Sequence, residues 1–243
     1  MARSQTRRSS APAARARASG KRSGRERGND RDATNEKREA DLYGSAPDSS
    51  EVALLLIDVI NDLEFEGGDR LERHARPLAR TLLELRERAR QAKVPCIYAN
   101  DNFGRWRSDF SAQVRHCLDD GVRGRALVEA LQPNDDDYFV LKPKHSAFYQ
   151  TCLELLLEHL GARTLIIGGI STDNCVSFTA NDAYLRGYSL VILKDGTAAI
   201  DLKAHRDALA QMQRLLHAKT MNCREVKFER ELGRSRARAR RDR

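Results

Sequence analysis

No stretch of the 243 residues approaches the roughly 20 consecutive apolar side chains that a membrane-spanning helix needs. That excludes a helical membrane protein. No CxxC pair occurs either: the five cysteines, Cys96, Cys117, Cys152, Cys175 and Cys223, are odd in number and scattered. They form neither a zinc-ligand pattern nor a disulfide framework, and a reducing, cytoplasmic compartment fits them best. The opening residues lack the apolar core of a secretory leader. Rich in Arg and Ser, with one acid in the first 28 positions, they resemble a transit peptide only weakly. Large apolar side chains are almost missing from residues 1–50, which hold twelve Lys/Arg against seven Asp/Glu. Such a segment cannot bury enough surface to offset its ordering entropy and reads as a disordered basic tail. Residues 229–243, with seven Arg and three acids, read as a second disordered tail. The net charge of +8 therefore belongs to the ends, and residues 51–228 are close to neutral. Few aromatics interleave the terminal arginines, so sequence-specific RNA reading has little support. The tails read as solubilising segments, with non-specific contact to nucleic acid or an acidic surface as the alternative.

What the central segment does have is alternation. Val52–Asp58 is a continuous apolar run of strand length, and further short runs fall at Val94–Ala99, Tyr138–Leu141, Thr164–Ile167 and Leu190–Leu193. A sixth falls at Asn222–Val226 or Glu225–Phe228. Helical periodicity fills 69–92, 147–160, 174–187 and 203–218; Leu71, Leu78, Leu82, Leu83 and Leu85 make the clearest stripe. Strands apolar throughout and separated by helices predict an α/β domain of three layers over residues 51–228. Its sheet would be mainly parallel, of about six strands, with helices on both faces and Rossmann-type topology.

In such a sheet the site lies where strands end and loops lead into helices. The polar residues there are Asp58, Asn61 and Asp62 after the first strand, and Asn100, Asp101 and Asn102 after the second. Lys142 and Lys144 follow the third, Ser171, Thr172, Asp173 and Cys175 the fourth, and Asp195 the fifth. A carboxylate, an ammonium and a thiol thus converge from different strands. Asp58 can take the thiol's proton, and Lys142 can steady developing negative charge. The helix N-terminus after Asn174 adds a partial positive charge at Cys175. The segment GGISTDNC offers backbone N–H groups for an oxyanion hole, a donor type worth about 10²–10³ in rate. Together these specify acyl transfer through a thioester, followed by hydrolysis.

Three separate motifs in order, LLLIDVIND, KPKHSAFYQTCL and GGISTDNCVSFTANDAYLRGY, give the chain a family resemblance. It resembles the isochorismatase-like cysteine hydrolases, the superfamily of nicotinamidases, N-carbamoylsarcosine amidohydrolase and related amidases. The resemblance implies Asp58 as catalytic acid/base, Lys142 as catalytic lysine and Cys175 as nucleophile. Lys142 is preferred over Lys144 because the family's lysine precedes the Ser146-Ala147-Phe148 triplet by four residues. It also implies a cis peptide at Ile170–Ser171, turning the Ser171 N–H toward the same point as the Cys175 N–H to form the oxyanion hole. A homo-oligomer, dimer or tetramer, acting on a small-molecule substrate without a cofactor is implied as well. Nicotinamidases carry an Asp-x-His and a further His for a metal near the end of strand two. This chain reads NDNFGRWRSDF there, so no catalytic metal is expected. The cysteine points to an amide, ureide or carbamoyl C–N bond.

Asn102, Phe103, Arg105, Trp106 and Thr172 are candidates for substrate binding, with Phe103 and Trp106 as walls and Arg105 for a substrate carboxylate. His145, beside the lysine, is a candidate to face the substrate, whereas His205 reads as a surface or capping histidine. Asn61 and Asp62 read as helix caps or loop braces, and the four other cysteines as packing. The rival from another class is a catalytically idle scaffold that works through its basic tails.

Overall fold

The computed structural model describes residues 49–102, Gly104 and residues 109–241. The reading of residues 1–48 as a disordered tail lies outside the described residues, and so do the roles expected of Phe103, Arg105 and Trp106.

Six parallel strands form one sheet in the order β3-β2-β1-β4-β5-β6. They are β1 (Val52–Ile57), β2 (Cys96–Asp101), β3 (Tyr138–Lys142), β4 (Thr164–Ile170), β5 (Ser189–Ala198) and β6 (Lys219–Met221). The helices are α1 (Gly68–Gln91), α2 (Phe110–Asp119), α3 (Arg125–Ala130), α4 (Leu153–Leu160), α5 (Ser177–Leu185), α6 (Leu202–Leu215) and α7 (Phe228–Arg241). β1 shows why its residues are apolar throughout: Val52, Leu54 and Leu56 face one core, and Ala53, Leu55 and Ile57 the other. The first core is covered by α1, α2, α3 and the start of α7, and the second by α4, α5 and α6. The α/β three-layer expectation is therefore what the chain adopts.

Three expectations need correction. The sixth strand lies at Lys219–Met221, before the run the pattern favoured. At Asn222–Glu225 a reciprocal capping box, with Asn222 bonded to the Glu225 N–H and Glu225 to the Asn222 N–H, diverts the chain into a short 3-10 turn. The helix expected at 147–160 is regular only from Leu153, because Ser146 and Thr151 accept local N–H bonds from Phe148 and Leu153. The C-terminal segment is not a disordered tail: α7 docks on the domain. Phe228 is buried, and Glu231 accepts Lys219 Nζ at 3.1 Å and Arg234 Nη1 at 2.6 Å. Ser235 Oγ donates to the Glu51 carbonyl at 3.2 Å. Composition shows a charge run here, but helical spacing gathers Phe228, Glu231, Leu232 and Ser235 on one face.

Sheet order fixes where chemistry can occur. The order reverses between β1 and β4, and the carboxyl ends of strands flanking such a switch point open a crevice. Asp58 follows β1 and the Ser171–Cys175 loop follows β4.

Candidate active site

Asp58 leaves β1 with a left-handed backbone (φ 51°), a conformation Asp tolerates better than most residues. Its N–H donates to the Ala99 carbonyl at 2.9 Å, and its Oδ1 accepts the Asp101 N–H at 2.7 Å. Both ends of the residue are thus pinned to β2. Lys142 ends β3, in register with Asp101. Its side chain is wholly buried, and Nζ meets Asp58 Oδ2 at 2.9 Å. Nζ also donates to the Lys144 carbonyl at 3.2 Å and to Cys175 Sγ at 3.5 Å, and stands 3.7 Å from Asp101 Oδ2.

The Gly-Gly pair brings the thiol to this ammonium. Gly169 has φ 114°, and a Cβ there would come within 2.0 Å of the Ile57 carbonyl oxygen. Only glycine lets β4 lie this close to the residue before Asp58. The following peptide, Ile170–Ser171, is cis. Residues Thr172–Val176 then form a single π-helical turn that runs into α5 and holds Cys175 nine-tenths buried at the base of the cleft.

Burial governs the electrostatics. It raises the Asp58 carboxyl above the usual range, against the lowering pull of Lys142. Burial alone would lower Lys142, but the Asp58 carboxylate and the Cys175 sulfur outweigh it and leave the ammonium raised. Burial, then the Asp58 charge, pushes the Cys175 thiol up to about 12. The raised Lys142 and Cys175 values favour an ammonium beside a neutral thiol.

A cleft of about 370 Å³ opens over the sulfur, lined by Asp58, Phe65, His145, Ile170, Cys175 and Ile200 among others. The candidate substrate residues fare unevenly. Thr172 is fully buried, and its Oγ1 pairs with His205 Nδ1 at 2.8 Å instead of facing the cleft. Asn102 Oδ1 accepts the Gly104 N–H at 2.9 Å, bracing its own loop. Asn61, read as a cap or brace, accepts the Leu63 N–H at 2.8 Å and lines the cleft too. Asp62 braces the same loop through the Glu64 N–H at 3.1 Å. Cys96, Cys117 and Cys223 are buried as expected for packing, but Cys152 is exposed.

At the end of β2, Asn100 donates its amide to the Ile60 carbonyl at 2.6 Å while its buried Oδ1 has no hydrogen-bond partner, Asn102 Oδ1 accepts the Gly104 N–H, and Asp101 Oδ2 stands 3.7 Å from Lys142 Nζ. Among the described residues no group of three or more His, Cys, Asp or Glu side chains is disposed to hold an ion.

The model of the isochorismatase domain matches residues 52–223. The chain belongs to the isochorismatase family. It is 42% identical over 166 residues to the uncharacterized isochorismatase family protein YaaI of Bacillus subtilis, covering 68% of this chain and 91% of that protein. The ureidoacrylate amidohydrolase RutB of Methylorubrum extorquens is 43% identical over 77 residues, 32% of this chain and 31% of that enzyme. An isochorismatase-like hydrolase from Alkaliphilus metalliredigens superposes with a TM-score of 0.59 at 26% identity, covering 72% of this chain and 94% of that one. The protein is thus a hydrolase of the isochorismatase family.

Two contacts of this isochorismatase-family site escape sequence reading. The Asp101 backbone N–H fixes the Asp58 carboxylate, a role no side-chain pattern announces. His205 is half-buried, joining Thr172 to the Lys194 carbonyl, and burial holds its imidazole below the usual histidine range. Its one signal was its place at the start of a helix after the fifth strand.

Proposed function

We propose that this hydrolase cleaves a small amide, ureide or carbamoyl C–N bond through a thioester on Cys175. The observation that carries the reading is the buried Lys142 ammonium, bonded at once to Asp58 at 2.9 Å and to Cys175 at 3.5 Å. As Sγ attacks the carbonyl carbon, Asp58 accepts the thiol proton and Lys142 compensates the charge moving between them. The oxyanion is received by the Ser171 and Cys175 N–H groups. The C–N bond then breaks, Asp58 returns its proton to the leaving nitrogen, and an acyl–Cys175 thioester remains for water to hydrolyse. A catalytically idle scaffold would have no use for a buried lysine that neutralises a carboxylate beneath a thiol. The amide chemistry also agrees with that of the RutB relative, a ureidoacrylate amidohydrolase.

The test is a screen of small primary amides, ureides and carbamoyl amino acids for amine or ammonia release. It is paired with mass spectrometry of the Cys175 peptide after rapid quench. The expected result is turnover together with an acyl adduct on Cys175. Undiminished turnover by Cys175→Ala, or an adduct confined to another residue, would overturn the reading.

A further inference from the structure

The sulfur has a neighbour on its open side. His145 Nδ1 lies 3.8 Å from Cys175 Sγ, and the ring lines the cleft. It is exposed at the cleft, whereas Lys142 is wholly buried and Asp58, though it reaches the cleft wall, is nearly so. The position of the ring is built. It stacks on Phe178 of α5 with centroids 5.3 Å apart and planes inclined by 29°. Two residues on, the Ala147 N–H donates to Thr179 Oγ1 of the same helix at 3.0 Å. The helix that starts beside the nucleophile therefore also fixes His145 against it. Phe178 is itself exposed, and among the described residues His145 is the ring it stacks on.

We propose that His145 is a further catalytic residue, the general base for the second half of the reaction, in which water hydrolyses the acyl–Cys175 thioester. This rests on the reading of Cys175 as nucleophile. Once the amine has left, Asp58 has given back its proton and is again a buried carboxylate held 2.9 Å from Lys142. Water enters from the cleft, where His145 stands. As the water oxygen bonds to the thioester carbon, Nδ1 of the neutral imidazole takes one water proton. The C–S bond then breaks with its electron pair on sulfur. The imidazolium passes the same proton across the 3.8 Å gap to Sγ, restoring thiol and neutral histidine and releasing the acid. No co-reactant other than water is consumed.

The experiment uses the full chain and p-nitrophenyl acetate, whose good leaving group makes acylation independent of proton donation. Wild type should release a burst of nitrophenolate that Cys175→Ala lacks, followed by slower turnover. His145→Phe keeps an aromatic ring for Phe178, and His145→Gln keeps hydrogen bonding; neither can carry a proton. Both variants should hold the burst rate within about threefold while steady-state turnover falls about 10²-fold, the usual size of a lost general base. Acetyl–Cys175 should accumulate in their intact-mass spectra. Turnover restored by Gln, turnover reduced less than about fivefold in both, or a burst that falls in proportion to turnover would overturn the role of His145 and leave the nucleophile in place. A wild-type burst that persists in Cys175→Ala, or no burst at all, would instead remove the nucleophile and the proposal with it.

Discussion

The Lys142 ammonium and the Asp58 carboxylate form a buried ion pair 2.9 Å long, with 0% and 6% of their side chains exposed. Such a pair is costly to break from one side, because the surviving charge stays buried without a partner. Asp58→Asn should therefore destabilise the fold by about 3 kcal/mol, the low end of the range for such losses, since Asp101 remains 3.7 Å from Nζ. The double variant Asp58→Asn, Lys142→Met should recover part of that stability and none of the activity. Denaturant melts of the three proteins read this directly. Additive losses in the double variant would show that the pair is not coupled.

Thiol acidity and hydrolysis should move in opposite directions in Asp58→Asn. The Asp58 charge is one of the causes that push the Cys175 thiol up to about 12. Removing it leaves the ammonium as the dominant neighbour, so thiolate should appear at lower pH and iodoacetamide should label Cys175 faster. Hydrolysis should fall by about 10²-fold or more, because the proton acceptor is gone. Titration of the thiolate ultraviolet absorbance, run beside an activity assay, checks both signs. An unchanged or higher Cys175 pKa would contradict the electrostatics.

In wild type, the acid limb of the rate profile should lie above pH 3.8, the ordinary aspartate value, because burial raises the Asp58 pKa. The working form is the carboxylate, so the rate falls as pH drops through that raised value. A limb at or below the ordinary value would mean that a different group is being titrated.

Deleting residues 228–243 should lower the melting temperature. The deletion removes the buried Phe228 and the Glu231 bonds to Lys219, and it leaves the Glu51 carbonyl without Ser235. Losses of about 2–3 kcal/mol at a domain of this size correspond to a fall of about 4–12 °C. A thermal scan showing no shift would return this segment to the status of a solvated tail.

Prolonged dialysis against a strong chelator should leave the rate unaltered, because the described end of β2 offers two amides and a single carboxylate that already faces Lys142, a poor donor set for a divalent ion. Loss of activity on chelation, restored by one divalent metal, would show that the loop after β2 holds an ion after all.

The sequence alone determined the layers and the edge at which chemistry sits. A parallel strand buried on both faces has to be apolar at every position, and Val52–Ile57 and Thr164–Ile167 can be little else. Polar residues directly after such strands fall at one rim, so Asp58, Lys142 and Cys175 could be named together, and the order of three motifs named the family. Contacts between segments distant in the chain were decided only by tertiary structure. The Arg-rich end became a docked helix because Glu231 and Ser235 found partners at Lys219 and Glu51. Thr172 turned from substrate to His205, and Asn102 braced its own loop, because a buried polar group takes whichever partner lies nearest in space. The close approach of Gly169 to Ile57 depends on how two strands pack, and the 3.8 Å between His145 and Cys175 on how a loop meets a helix. Local pattern records which face a residue occupies; the partner it meets there is set by the packing of the whole chain.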